Sequence, residues 1–467
     1  MSFAPIPRIR FPGRLPLAAG LLLACAATAG TGPDAADGAI IVANCDDAGT
    51  GSLRDAVAAA PSGATIDLAH LACSTITLTT GFIAIAQDDL SLNGPGAAAL
   101  TIDAGNASGV IRHAGAGTLS IGGVTLANGH YASASTPRGG CLYSAASLAV
   151  ADATLTGCAV VGTSTENARG GGIYARADLD LANSLVTSSH AQGTVVGGGA
   201  RGGGVFVGGR FDSESSTISH NLAYSAPINS GVGGGATIVG PALIKRTTIF
   251  YNGAYEIGGL WTQDEVTLDS STIYNNSASQ TAGMRATYET GTPVATIVNS
   301  TIAGNHAFGS VGGLNLIIPA VISNSTIANN RANNGLAGIL MSGPTLDLES
   351  TIIAGNLGFN DPDDFDVYGS PTITGMGNLV VASSAPLPPD TRTDDPLLGT
   401  IGDYGGPTPT IPLLDGSPAI DHGSNVAQLA TDQRGAGFAR VGGAAPDIGA
   451  FEVQGGDVIF RDDFELP

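Results

Sequence analysis

Charge is scarce in this chain, and lysine is nearly missing. Of 467 residues, 12% are charged, and Lys245 is the only lysine. Acids dominate what charge there is, giving a formal net charge of −21. Such a balance argues against nucleic acid and anionic membrane surfaces as partners. Aromatic residues make up only 5%, with one tryptophan, so any core must be built from small aliphatic side chains. No helix-length apolar period runs through the middle of the chain. After residue 29 no hydrophobic run is long enough to cross a membrane as a helix, so no integral span is expected. No Gly-X-Y period accompanies the 69 glycines, which excludes collagen.

What the chain does have is a phrase that recurs: Ser-Thr-Ile, a short spacer, then Asn. It stands at Ser216-Thr217-Ile218 with Asn221, Ser271-Thr272-Ile273 with Asn276, Ser300-Thr301-Ile302 with Asn305, Ser325-Thr326-Ile327 with Asn330, and Ser350-Thr351-Ile352 with Asn356. Thr247-Thr248-Ile249 with Asn252 is a close variant, and fainter copies centre on Thr125, Thr154 and Leu185. The anchors are 24 to 32 residues apart, a period that means stacked repeats rather than one globular core. Between anchors comes a Gly-Gly mark followed by an aliphatic or small residue, as at Gly202-Gly203-Gly204-Val205 and Gly312-Gly313-Leu314. Thr, Ile and Val suit a pleated strand, while Asn and Gly turn the chain. Each unit therefore reads as strand, Asn turn, loop, Gly-Gly, strand. Stacked in register, Ile218, Ile249, Ile273, Ile302 and Ile327 would line the core, and the Asn residues would form an amide ladder. The predicted fold is all-β: a parallel β-helix solenoid, right-handed as parallel crossovers nearly always are, with an N-terminal helical cap.

The ends differ from the middle. Residues 1–29 read as a signal peptide: Arg8, Arg10 and Arg14, then an apolar run from Leu15 to Ala24, then Ala27-Thr28-Ala29 as a cleavage site. The rival is a lipoprotein signal ending at Cys25. Residues 30–75 read as the cap and first coil. There Ser52 and Asp55 resemble a capping box, alanines follow, and Pro61 stops the helix. An exported chain would keep Cys45, Cys73, Cys141 and Cys158, an even number that suggests two disulfides. The expected pairs are Cys45–Cys73 and Cys141–Cys158, since each lies within adjacent coils. The β-helix is placed at 76–356, an acidic Pro/Gly-rich connector at 357–394, a C-terminal domain at 395–454 and a short acidic tail at 455–467.

The C-terminal motifs occur in order: Asp395-Pro396-Leu397-Leu398-Gly399, Asp403-Tyr404-Gly405-Gly406-Pro407, Gly416-Ser417-Pro418-Ala419-Ile420-Asp421, Thr431-Asp432-Gln433-Arg434-Gly435 and Asp447-Ile448-Gly449-Ala450-Phe451-Glu452. This region resembles the choice-of-anchor Q domain that closes many bacterial surface β-helix proteins. The Gly51-Ser52-Leu53-Arg54-Asp55-Ala56 start is similar to the N-terminal cap of the same group, and the repeats are similar to those of polymorphic outer-membrane proteins. The resemblance implies a secreted or cell-surface, outer-membrane-associated protein. It supplies no biochemical activity.

Three groups of residues could carry chemistry. Arg138, Arg169 and Arg201 each stand just before a Gly-Gly mark, 31 and 32 residues apart, and should stack on consecutive coils. Three cations in a column repel unless an anion compensates, so they could line a groove for an acidic glycan. The plain alternative is solvated arginines paired with Glu166. Asp178, Asp180, Asp212 and Glu214 alternate outward on strands, with Asp180 and Asp212 as coil neighbours. They could serve a polysaccharide lyase or glycoside hydrolase, or be ordinary surface charge. Asp361, Asp363, Asp364 and Asp366 are hard oxygen ligands that could take Ca2+, though no calcium motif is present. His130, His190 and His306 share one repeat offset but not consecutive coils, which argues against a metal site. No other cofactor is expected. The leading expectation is a monomeric, non-enzymatic adhesion, structural or glycan-binding protein. The alternative is an enzyme acting on an acidic polysaccharide.

Overall fold

A computed structural model describes residues 38–225, 230–359 and 364–455. The expected signal peptide, Asp361, Asp363 and the residues from 456 on lie outside the described residues. The chain forms a right-handed parallel β-helix of about 11 turns. Three long sheets run its length: sheet I of 13 strands, sheet II of 12 and sheet III of 11. Two shorter ones, sheet IV of 8 strands and sheet V of 3, widen the middle coils. One coil shows the path. It passes through Thr154–Thr156 in sheet II, Ala159–Gly162 in IV, Ala168–Arg169 in V, Ile173–Ala175 in III and Leu179–Ala182 in I, then returns to II at Leu185–Thr187.

Alternation sets the core. In sheet II, the inward column is Leu155, Val186, Ile218, Ile249, Ile273, Ile302, Ile327 and Ile353, all at most 1% exposed. Burying each is worth about 1.5–3 kcal/mol. Two polar ladders flank this column. Asn221 Nδ2 donates to Asn252 Oδ1 at 3.0 Å, and the pattern repeats through Asn276, Asn305 and Asn330 to Asn356. Each of these Asn also donates to a carbonyl one coil back, as Asn276 Nδ2 does to Ile249 O at 3.0 Å. On the other side of the strand, the N–H of Ser271 donates to Ser300 Oγ at 3.1 Å and that of Ser300 to Ser325 Oγ at 3.2 Å. So Ser and Asn of the repeated phrase both face inward, and in these two ladders each side chain is partnered by its neighbour one coil away. The first Gly of the middle Gly-Gly marks is needed for its backbone: Gly170 has φ +66°, and a Cβ there would lie 2.1 Å from Ile173 O.

Helix α1 (Leu53–Ala59) covers the first coils. Ser52 Oγ accepts from the Asp55 N–H, and Leu53, Ala56 and Val57 are buried. Asp47 fastens the same region, accepting from Arg54 Nη2 at 2.8 Å and, at its other oxygen, from the Thr80 N–H at 2.7 Å. Both disulfides are present as paired above, Cys45–Cys73 with Cα atoms 6.4 Å apart and Cys141–Cys158 with 5.3 Å.

Three expectations need correcting. The last repeat is not anchored at Thr351: Ile352 lies opposite Thr326, so Ile353 takes the core position and Thr351 joins the hydroxyl column. The β-helix does not stop at 356. Phe365–Val367, Thr372–Met376 and Leu379–Val380 add another coil, with Asp364 standing where Asn would and Asn378 where Ser would. Finally, 395–454 is not a separate body. Residues 38–455 form one compact unit, and the C-terminal segment folds back along the outer face of sheet II. Gln433 is its hub: Oε1 accepts from Thr301 Oγ1 at 2.6 Å and Thr410 Oγ1 at 3.0 Å, while Nε2 donates to Thr272 Oγ1 at 2.8 Å and Thr408 Oγ1 at 3.0 Å. The Ala450 N–H donates to Thr326 Oγ1 at 3.0 Å. The outward Thr of each repeat is buried here because a distant segment covers it. Inside that segment Arg434 lies between the rings of Phe438 and Phe451 and bonds Asp432, and Arg440 bonds Glu452 at 2.9 Å.

Candidate functional site

The arginines do stack. Arg138 pairs with Arg169 in a parallel bridge, and Arg169 with Arg201 in sheet V. The segments immediately before them are the longest insertions of the solenoid, and these stack as well: the Thr194 N–H donates to Gly162 O at 3.0 Å and the Gly199 N–H to Asn167 Oδ1 at 2.8 Å.

Beside the arginines stands a column of aromatic rings on the outward positions of sheet III. Tyr143 stacks on Tyr174 at 5.5 Å between centroids, and Tyr174 on Phe206 at 5.3 Å, with interplanar angles of 9° and 6°. Strand register forces this stack, since the three residues pair directly. Each guanidinium lies over a ring of a later coil: Arg138 over Tyr174 at 5.3 Å, Arg169 over Phe206 at 5.1 Å and Arg201 over Trp261 at 5.5 Å. Arg112 begins the series, 3.7 Å from the Tyr131 ring and 4.2 Å from Tyr143, and its Nη1 donates to Arg138 O at 2.9 Å. Ring quadrupoles hold the cations in place without neutralising them.

No ion pair reaches Arg138, Arg169 or Arg201 among the described residues. Arg169 has its pKa pushed down, first by burial and then by the charge of Arg201, with Arg138 adding to it; Tyr174 and Glu166 act the other way. Glu166 is therefore an electrostatic neighbour, not a salt-bridge partner. Three half-buried cations on successive coils, about 4.8 Å apart along the stack, make an anion-attracting strip.

The acids sit elsewhere, on the outer face of sheet I. Asp180 lies opposite Asp212, as the spacing predicts. Arg210 bridges them, with Nη2 3.3 Å from Asp180 Oδ1 and Nη1 bonded to Asp212 Oδ2. Its N–H donates to Asp178 Oδ1 at 2.8 Å. Glu214 pairs with Arg246. Carboxylates that hydrolyse a glycosidic bond need the space between them for sugar or water. Here a guanidinium occupies it. No hydrogen bond or ion pair joins these acids to the arginine column among the described residues.

Of the calcium candidates, Asp364 has a structural task. It is fully buried, and its Oδ1 accepts from the Asn356 N–H and from Asn356 Nδ2, both at 2.8 Å, ending the amide ladder. Its Oδ2 accepts from the Ala382 N–H at 3.1 Å. Asp366 accepts from Ser384 Oγ and from the Val367 N–H. Among the described residues no three His, Cys, Asp or Glu side chains cluster as a metal site would. His130 and His190 lie two coils apart, on either side of Ala159, and His306 bonds Asn333 Oδ1 at 3.1 Å.

Sequence reasoning missed the aromatic column. Its signal was there: an aromatic two or three residues after the Gly-Gly mark, at Tyr143, Tyr174, Phe206 and Trp261.

No family model matches the chain, and no curated protein does. Among solved structures, the chain is similar to the pectate lyase Pel9A at 12% identity and a TM-score of 0.39, over 86% of this chain and 90% of that one. A likeness of that size bears on neither substrate nor activity.

Proposed function

We propose that this protein is an exported, cell-surface β-helix that binds acidic polysaccharide without cleaving it. The observation that carries the reading is the column of Arg138, Arg169 and Arg201, lying on aromatic faces with no carboxylate in salt-bridge reach. Cations held half-buried and unneutralised bind an anion more strongly than solvated ones. Tyr174 and Phe206 are buried beneath the guanidinium groups, so apolar contact to a sugar ring falls to the half-buried Tyr143 and Trp261 at the ends of the column. The enzymatic alternative has less support, because Asp180, Asp212 and Glu214 are tied to Arg210 and Arg246 and stand apart from the arginines. Export rests on the signal-like first 29 residues and on two disulfides, which persist in oxidising compartments. Display at the surface rests on the resemblance of residues 395–454 to the choice-of-anchor Q domain.

The test is a binding titration with alginate and polygalacturonate. Wild-type protein should bind at least one, Arg169→Ala should weaken that binding, and added salt should do the same. Unsaturated products or new reducing ends that vanish in Asp180→Asn or Asp212→Asn would move the reading to the enzyme.

A further inference from the structure

We propose that His220, Phe250, Tyr251 and Tyr274 form a stacking site for the flat face of a neutral pyranose sugar, separate from the arginine column.

The argument begins with backbone conformation. The turn that leaves sheet II has one left-handed residue in each coil: Asn128, Gly157, Ser188, His220, Tyr251, Asn275, Gly304, Asn329 and Gly355, with φ between +50° and +67°. Seven of these nine are Asn, Gly or Ser, and Asn and Gly in particular tolerate that region well. The two exceptions are aromatic, and they fall on consecutive coils. His enters this region more readily than most residues, but Tyr251 at φ +50° is strained, and the fold does not require it, since Asn or Gly serves elsewhere in the same column. Ring contacts offset the strain only in part, because Tyr251 is 52% exposed and His220 is exposed. Strain kept at a ring that is mostly exposed points to function.

The rings form one cluster, in which Tyr251 and His220 are exposed. Phe250 and Tyr274 pair directly in sheet II and stack at 4.9 Å with 9° between planes. Tyr251 flanks both, 5.3 Å from Phe250 and 6.1 Å from Tyr274. His220 closes one side, edge-on to Phe250 at 5.4 Å. Farther along the same outward column come Ala303 and Ala328, which the C-terminal segment covers with Ile411. The aromatic pair comes just before that covered part.

The rim is polar. Neither the Tyr251 nor the Tyr274 hydroxyl takes a protein hydrogen bond among the described residues. Burial, then the neighbouring Tyr251, pushes the Tyr274 pKa up, so its hydroxyl stays protonated and able to donate. The exposed ring of Tyr251, tilted 58° to Phe250 and 53° to Tyr274, with phenol hydroxyls close by, matches a pyranose, which has C–H bonds on its face and hydroxyls around its rim. A nucleobase would also stack, but it arrives on a phosphate chain, which a protein of net charge −21 repels. An aliphatic protein surface would leave the phenol hydroxyls and the His220 nitrogens without partners.

The test uses the whole protein and three neutral probes: cellohexaose, xylohexaose and β-mannohexaose, followed by saturation-transfer NMR and titration. At least one should bind, with no dependence on salt. Phe250→Ala and Tyr251→Asn should each weaken that binding roughly tenfold or more. Tyr251→Asn should leave the melting midpoint unchanged or raise it, because Asn fits the left-handed backbone. Arg169→Ala should leave this binding intact, which separates the site from the arginine column. The proposal is overturned if none of the three probes binds wild-type protein, or if binding survives both substitutions. A lower melting midpoint in Tyr251→Asn would also overturn it, since the ring would then be held for packing.

Discussion

The residue that carries most of the repeat is the ladder Asn. Asn276 Oδ1 accepts from the Asn252 N–H at 2.9 Å and from Asn252 Nδ2 at 3.0 Å, while its own Nδ2 donates to Ile249 O and Asn305 Oδ1. It is fully buried, so Asn276→Leu strands partners on two coils at once. We expect a loss of about 1–3 kcal/mol in unfolding free energy, read as a lower urea midpoint. An unchanged midpoint would mean that the amides are replaceable by apolar packing. Asp47 gives a pH signature at the same scale. Burial alone would raise its pKa, but hydrogen bonds from Arg54, Thr80 and Thr79 outweigh that and hold it well below the usual carboxylate range. Its folded pKa is thus below its unfolded value of about 3.9, so its stabilisation is present above that pH and is lost as pH falls below it. Asp47→Asn should lower the melting midpoint at pH 7 and flatten its decline below about pH 4. An equally steep decline in the variant would assign the acid sensitivity to other groups.

At the scale of elements, what could be read from sequence was whatever repeats. Ile at the later anchors, Asn at their turns and Gly-Gly or Ala-Gly ahead of the sheet III strands announce strands, faces and register because each coil meets its own copy. The reading faltered where copies diverge. Ser350-Thr351-Ile352-Ile353 permits two registers, and the choice depends on Asn356 reaching its ladder position. The coil after it went unseen because Asp364 and Asn378 replace the signature residues. The fold-back of the C-terminal segment had no local signal at all, since Gln433 meets Thr272 across 161 residues. That contact supports a prediction. Gln433→Leu removes one hydrogen bond from each of the buried hydroxyls of Thr272, Thr301, Thr408 and Thr410. Thr272 keeps only its bond to Pro409 O, Thr408 that to Ser270 O, and Thr301 and Thr410 the one between them. The substitution should cost roughly 1–3 kcal/mol and speed hydrogen exchange in sheet II from Thr272 to Thr326. Unchanged exchange there would show that the segment docks without this hub.

At the scale of the whole molecule, a solenoid places its functional surface by register. Arg138, Arg169 and Arg201 were visible in sequence as a column because their spacing follows the repeat. The rings beneath them, and the separate cluster at Tyr251, were not, because chemistry there depends on which face each strand turns outward. The account's central claim is that the arginine column holds an acidic glycan and that the acids on sheet I do no chemistry. One calorimetric titration tests it most directly: alginate and polygalacturonate against wild-type protein and the combined Arg138→Ala, Arg169→Ala, Arg201→Ala variant, at low and high salt, with the cell contents assayed afterwards for unsaturated ends. The account predicts that wild-type protein binds at least one polymer with an affinity that falls as salt rises, that the variant does not bind, and that both leave the polymer intact. Equal binding by the variant, or cleaved polymer, would contradict it.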